Sequence, residues 1–276
     1  MKIMRFLDET GKVRYGTPTA GRRARLVLGN LFEEYAVSDR EVGVLKTIAP
    51  VDPPNILAIG LNYKRHADET GAAYPDHPLV FIKATTSLAA PGAPIILPAE
   101  APDEVDYEAE LAIIIGRTCK RVPEKDVHEV ILGYTCANDV SARDCQKRLD
   151  KQWARAKSFD TFCPLGPVIV TPDEVDGDNV PIRSILNDRV MQDSNTSDMI
   201  FPVRPLVSYL SRQFTLLAGT VILTGTPSGV GTARTPPVYL RDGDTITVEL
   251  DGIGRLTNPV VAEARRDPAA ISDGRK

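Results

Sequence analysis

The sequence predicts a strand-dominated α+β fold, within the broad α/β class, with a small β-rich region ahead of one main domain. Three observations lead there. Short apolar runs bounded by Gly, Pro, Asn or Asp recur along the chain, which is the spacing of strands and turns. One stretch, Val203–Gln213, carries the apolar periodicity of a substantial amphipathic helix despite Pro202 and Pro205 near its start. Pro50, Pro53 and Pro54 then mark a boundary near residue 50. The expected organisation is a β-rich region over 1–50, a main domain over 51–265 and a frayed tail over 266–276.

Composition narrows the function before any motif does. With 42% hydrophobic and 25% charged residues the chain reads as an ordinary soluble globular protein, and 276 residues can bury a full core. A net charge of −4 leaves no basic footprint for nucleic acid or anionic membrane, so small-molecule chemistry is the expectation. The first residues, MKIMRFLDETGK, place charges within and just after a short apolar run, which fits neither a signal peptide nor a membrane span. A cytoplasmic location follows. Cys119, Cys136, Cys145 and Cys163 form no CxxC pair and read as reduced, largely buried thiols. Any imidazole acid-base chemistry must come from His66, His77 or His128.

Taken in order, KIMRFL, DETGK and VRYG predict a hairpin, followed by a strand over 24–28. Ile56–Gly60 reads as a strand that runs into LNYKRHADETG, a short helix stopping before Gly71. On such a helix His66 and Glu69 are three apart and share a face, so a carboxylate can stand behind an imidazole and fix its tautomer. Strands follow at Leu79–Lys83 and 94–97. Residues 106–116, DYEAELAIIIG, read as one strand whose sides differ: Tyr107, Ala109, Leu111, Ile113 and Ile115 face the core, while Asp106, Glu108 and Glu110 share the other face. Acids held that close raise one another's pKa unless a cation sits among them, and a hard dication suits carboxylate oxygen.

A helix opens at Pro123 and runs through Val130, leaving His128 as a surface or packing residue. A strand over 131–137 then delivers Asn138 and Asp139 at its end, making Asp139 a natural third carboxylate or a turn cap. Lys157 lies between Trp153 and a proline-rich strand entry, either as a snorkelling residue or as a fixed positive charge for an anionic substrate. ILNDRV predicts a hairpin turning at Asn187 and Asp188. The last third is β-rich, with strands over 220–223, Thr245–Leu250 and 256–262. GTPSGVGT lacks the GK[ST] of a phosphate loop and suits a ligand loop in which backbone N–H groups and the Thr226 hydroxyl meet a carboxylate.

The ordered set GLNYKRHADE (60–69), DYEAELAIIIG, NDVSARD (138–144), KSFDTFCPLGP (157–167) and LTGTPSGVG (223–231) resembles the fumarylacetoacetate hydrolase superfamily, above all its shorter members, from about residue 55 to 260. The resemblance implies a mixed β-sandwich roll, a homodimer and one divalent metal per subunit, with Mg²⁺ the expected ion and Mn²⁺ or Ca²⁺ the alternatives. It places the metal on Glu108, Glu110 and Asp139. It places the catalytic lysine on Lys157 and the His-Glu dyad of a lid on His66 and Glu69. Arg143 and Gln146 match substrate-facing positions, and Thr226 matches the threonine that binds the substrate carboxylate; Tyr63 adjoins the lid without an assigned role. Longer members add an acidic ligand that has no counterpart here, so water or substrate is expected to complete the coordination. Some acylpyruvate-cleaving members have Arg where this chain has Leu61, which removes one cationic contact.

The substrates implied are 2-oxo or β-diketo acids, handled through an enolate. The leading expectation is hydrolysis of a carbon–carbon bond in a diketo or acylpyruvate-type acid. The alternative keeps the enolate and drops the water, giving an oxaloacetate keto-enol tautomerase or decarboxylase, towards which FDTFCPLGP and SNTSDMIF lean. A non-catalytic, metal-dependent binder of small dicarboxylates stands as the third reading.

Overall fold

The computed structural model describes residues 1–264, so the tail expected over 266–276 lies outside the described residues. The described fold is built on an eleven-stranded mixed sheet and a five-stranded sheet. At the middle of the large sheet, Ala109–Ile115 runs antiparallel between Ile131–Asn138 and Val221–Leu223. Beyond Val221–Leu223 come Ile56–Gly60, in parallel, and the edge strand Leu79–Lys83. On the other side Ile131–Asn138 pairs with Cys163–Val170, which in turn pairs with Lys2–Asp8.

Both central strands are buried along their whole length. Leu111, Ile113 and Ile115 enter a core shared with Ile182, Val248 and Leu250 of the smaller sheet and with Val207 and Leu210 of the helix Val203–Gln213. Ala112 and Ile114 point the opposite way, into a cluster that holds both Phe81 and Ile3. Those two residues stand on strands far apart in the sheet order, so one continuous core runs along this face of the large sheet while the opposite face packs on the smaller sheet and the helix. This is the sandwich roll the sequence implied. Each fully buried Leu or Ile contributes about 1.5–3 kcal/mol, and truncating one such as Ile113 to Ala costs about 2–5 kcal/mol.

At the N-terminus, Lys2–Asp8 and Val13–Pro18 form the expected hairpin and Arg23–Gly29 the expected strand. Met4, Phe6, Ala24 and Leu26 make a small core of their own, while the Ile3↔Ile169 pairing joins this region to the large sheet. A thirteen-residue strand, Tyr35–Thr47, completes it and was not anticipated. Its side chains are largely exposed, so it lacks the apolar alternation that marks a half-buried strand. The Asn187 and Asp188 turn has φ of 47° and 65°, the positive pair a two-residue hairpin turn requires.

Two expectations are corrected. Residues 106–116 are not one strand: Val105–Asp106 pairs with Ser141–Ala142, and the chain then changes partners before Ala109–Ile115 enters the large sheet. Asp106 therefore leaves the face that Glu108 and Glu110 share. The segment after Pro123 is a 3₁₀ helix, Glu124–Glu129, closed by the Val130 amide on Val127 O.

Candidate metal centre

The register of the two central strands assembles the acids. Ala109 pairs with Asn138 and Glu110 with Ala137, so Glu108 and Asp139 become neighbours where the ladder ends. Two bonds fix that corner: the Asp139 amide donates to Glu108 O at 2.9 Å, and the Glu108 amide donates to Asn138 Oδ1 at 3.0 Å. As a result one carboxylate oxygen from each of Glu108, Glu110 and Asp139 lies within 4.8 Å of the others, all three residues being buried.

Buried carboxylates need partners, and each here has a definite one. Lys157 Nζ donates to Glu108 Oε2 at 2.7 Å and to Asp139 Oδ2 at 2.6 Å. Lys83, missing from the sequence reading, donates to Asp139 Oδ1 at 2.6 Å and is only 1% exposed. The Gly225 amide donates to Glu110 Oε2 at 2.7 Å. Arg143 Nη2 stands 2.7 Å from Glu108 Oε1, and its Nε donates to Asp106 Oδ2 at 2.8 Å. Asp106 also accepts from the Tyr107, Gly231 and Thr232 amides, so it clasps the 224–232 loop to Arg143 and takes no place among the three acids.

The electrostatics leave room for a dication. Burial pushes Glu108 up, but Lys157 and Arg143 outweigh it and hold the carboxyl at about 2, with His66 helping. Burial raises Glu110 well above the usual carboxylate range, and Asp139 and Glu108 add to the shift, which Lys157 and the Gly225 amide offset only in part. Burial works against the Lys157 ammonium, yet Asp139 and Glu108 keep its pKa above that of a free lysine. Glu110 is thus the acid that wants positive charge, and Lys157 stands in for a cation between the other two. Three buried hard-oxygen donors with an ammonium among them fit a Mg²⁺, Mn²⁺ or Ca²⁺ ion. The Tyr63 hydroxyl, fully buried, has no partner among the described residues, and its pKa is raised by burial and by Glu110.

The dyad forms as the sequence predicted. On the helix Lys64–Thr70, closed by Gly71 at φ 66°, His66 Nδ1 meets Glu69 Oε1 at 2.7 Å. Glu69 Oε2 accepts from the Gly229 amide at 2.9 Å, which fastens the helix to the glycine-rich loop. Asn62, just before the helix, is buried and anchors it: its side chain donates to Thr224 O and Phe201 O and accepts from the Phe201 amide. The SNTSDMIF segment (194–201) therefore holds this helix in place, aided by the Arg65 amide on Asp198 Oδ2 at 3.1 Å.

Gln146 accepts from Arg143 Nη1 at 2.8 Å, so both expected substrate-facing residues are linked to Glu108 through one guanidinium. Thr226 has its hydroxyl bonded within the chain. Its hydroxyl donates to Ala109 O at 2.9 Å and accepts from Gln192 Nε2 at 2.7 Å, so its one proton is already committed. Gln192, also missed in the sequence, is buried and locks this corner through a further bond from the Ala109 amide to its Oε1 at 2.9 Å. All four cysteines are free thiols, three of them buried. Among the described residues no helix is long and apolar enough to cross a membrane.

Comparison with known proteins agrees with this architecture. The chain is 46% identical over 220 residues to a mitochondrial oxaloacetate tautomerase of Xenopus laevis, covering 79% of this chain and 69% of that one. It superposes with a TM-score of 0.84 and 42% identity on a 5-carboxymethyl-2-hydroxymuconate delta-isomerase of Mycobacterium smegmatis, over 95% of this chain and 100% of the other. A fumarylacetoacetate hydrolase of Exiguobacterium antarcticum matches at 39% identity and a TM-score of 0.83, over 95% and 99%. Residues 55–261 match the model of the fumarylacetoacetate hydrolase C-terminal family, and the chain belongs to that family.

Proposed function

We propose that the protein is a dication-dependent tautomerase of 2-oxo dicarboxylic acids, with oxaloacetate the first substrate to test. The observation that carries this reading is the His66–Glu69 pair. Glu69 accepts from Nδ1, so the imidazole proton sits on Nδ1 and the Nε2 lone pair is free to take and return a proton. Keto-enol exchange asks for no more than this: a proton leaves C3 and another is delivered to the C2 oxygen, with no bond between heavy atoms broken.

A dication held by Glu108, Glu110 and Asp139 would act as a Lewis acid on the keto oxygen and make the C3 proton more acidic. The chain's own residues supply the rest. Lys157 sets a positive charge beside the same carboxylates, where negative charge develops on the substrate oxygen. The Thr226 and Ser228 amides donate to no described group and are available to a substrate carboxylate, a role the committed Thr226 hydroxyl cannot fill as it stands. The helix Lys64–Thr70, pinned by Gly229, would serve as the lid that carries the dyad to the substrate.

The names of the Xenopus and Mycobacterium relatives, a tautomerase and an isomerase, both describe proton shifts and support this choice over hydrolysis. Carbon–carbon hydrolysis is the second reading. The same Nε2 lone pair could activate a water, and the Exiguobacterium relative carries the hydrolase name. A homodimer belongs to the proposal too, since the edge strand Leu79–Lys83 leaves Leu79 and Ile82 44% and 54% exposed, an apolar rim a second copy would cover. Light scattering tests that part.

The activity test is direct. Protein loaded with Mg²⁺ is mixed with enol oxaloacetate and separately with acylpyruvates, following enol absorbance and pyruvate. Accelerated enol decay without pyruvate supports the tautomerase, and pyruvate from an acylpyruvate supports the hydrolase. Pyruvate from oxaloacetate would mark a decarboxylase. Enol decay no faster than in protein-free buffer overturns the proposal.

A further inference from the structure

We infer that Lys83 makes Asp139 a one-oxygen metal ligand and thereby turns the three-acid site against Ca²⁺ relative to Mg²⁺ and Mn²⁺. The inference rests on the metal-centre reading above and adds to it a residue that sets which ion is favoured.

Each of the three carboxylates has one oxygen held by a donor with little freedom to leave. Asp139 Oδ1 takes Lys83 at 2.6 Å, Glu110 Oε2 takes the Gly225 amide at 2.7 Å, and Glu108 Oε1 faces Arg143 at 2.7 Å. The Gly225 amide belongs to a backbone fixed at φ 94°, where an added Cβ would meet Asn62 Cβ at 2.7 Å. Arg143 is itself tied to Asp106 and Gln146. What remains is one oxygen per acid: Asp139 Oδ2 and Glu108 Oε2, both now shared by Lys157, and Glu110 Oε1.

Three single oxygens suit one kind of ion better than another. Mg²⁺, and Mn²⁺ with similar preference for oxygen, accept one oxygen per carboxylate and fill remaining positions with water or substrate. Ca²⁺ reaches six to eight ligands, often by taking both oxygens of a carboxylate. Of the three pinning donors, Lys83 is the one whose side chain alone does the work. For Asp139 to bind through both oxygens, the Lys83 ammonium would have to give up Oδ1. Its other acceptor is Val140 O at 3.5 Å, and the side chain is fully buried, so the ammonium would be stranded. Lys83 is held from the other side as well, by its Ile56↔Lys83 pairing in the large sheet.

The experiment is calorimetric titration of the chelator-treated protein with Mg²⁺, Mn²⁺ and Ca²⁺ in turn, for the native chain, Lys83→Met and Lys83→Arg. Lys83→Met is expected to lower the ratio of the Ca²⁺ Kd to the Mg²⁺ Kd by about tenfold or more, while Lys83→Arg, which keeps a charged donor, moves it less. A purely structural lysine would weaken all three ions by one common factor, and an unchanged ratio in Lys83→Met overturns the inference. Should both variants fail to fold, crystal structures of the native protein with Mg²⁺ and with Ca²⁺ decide: Asp139 is expected to ligate through Oδ2 alone with Lys83 still on Oδ1, and two-oxygen ligation by Asp139 overturns the inference. Failure of the native chain to bind any of the three ions overturns the metal-centre reading, and with it this inference.

Discussion

Glu69 accepts two hydrogen bonds from opposite sides, His66 Nδ1 at 2.7 Å on one oxygen and the Gly229 amide at 2.9 Å on the other. One carboxylate therefore partners the imidazole and ties the helix Lys64–Thr70 to the glycine-rich loop. Glutamine has a single acceptor oxygen and cannot serve both donors. Glu69→Gln is expected to lower kcat at least about 100-fold, the low end for a disabled acid-base group, with Mg²⁺ affinity unchanged. Stopped-flow enol decay and calorimetry measure the two quantities, and native turnover in Glu69→Gln would remove the dyad from the mechanism.

The three acids and the His66–Glu69 pair sit on separate elements, so the proposed metal binding and proton transfer should separate by mutation. Glu108→Ala removes a ligand and leaves Lys157 and Arg143 short of a buried partner, so it is expected to abolish both Mg²⁺ binding and turnover. His66→Ala touches none of the three acids and is expected to retain Mg²⁺ binding while losing about 100-fold to 10,000-fold in turnover. Equal loss of Mg²⁺ binding in both variants would contradict this division.

Much of this site was legible in the sequence because its residues sit at ends of regular elements. Ile56–Gly60, Leu79–Lys83 and Thr245–Leu250 were bounded by alternation and by glycine or turn residues, and the structure keeps those bounds. Asp106 was misplaced because the pattern of alternation continues through Tyr107 and Glu108 although the chain changes sheets there. Lys83 and Gln192 were missed for a different reason: a lysine or glutamine on a strand ordinarily faces water. A signal did exist for Lys83, which is in phase with the core residue Phe81 two positions earlier. The commitment of the Thr226 hydroxyl could not be read at all, since it depends on Gln192 arriving from a hairpin more than thirty residues away.

Asp106 is a structural acid, and its removal should show in stability first. It joins Arg143 to the Gly231 and Thr232 amides, all buried or nearly so. Asp106→Ala leaves a buried guanidinium with one of its two carboxylates and frees two loop amides, with an expected loss on the order of 3–5 kcal/mol in urea unfolding. Stability within about 1 kcal/mol of the native protein would show that the clasp matters little.

Proton linkage at Glu110 gives the last prediction. Its folded pKa lies well above 4.5, raised by burial and by Asp139 and Glu108, so the metal-free fold holds a proton that the unfolded chain releases. Stability from this group is full below about pH 4.5 and is lost as pH rises towards the raised folded value, because over that span the native state binds more protons than the unfolded one. Glu108 acts in the opposite sense: held at about 2, it stabilises the fold above pH 4.5, and that contribution fades as pH falls towards 2. A dication on Glu110 replaces its proton, so Mg²⁺ binding is expected to release protons and to tighten as pH rises. Thermal unfolding should then show a Mg²⁺-induced increase in Tm that grows with pH, and calorimetry in buffers of different ionisation enthalpy should count the released proton. A Mg²⁺ affinity that stays flat across the whole range in which the fold is stable would mean that Glu110 is already ionised in the metal-free protein.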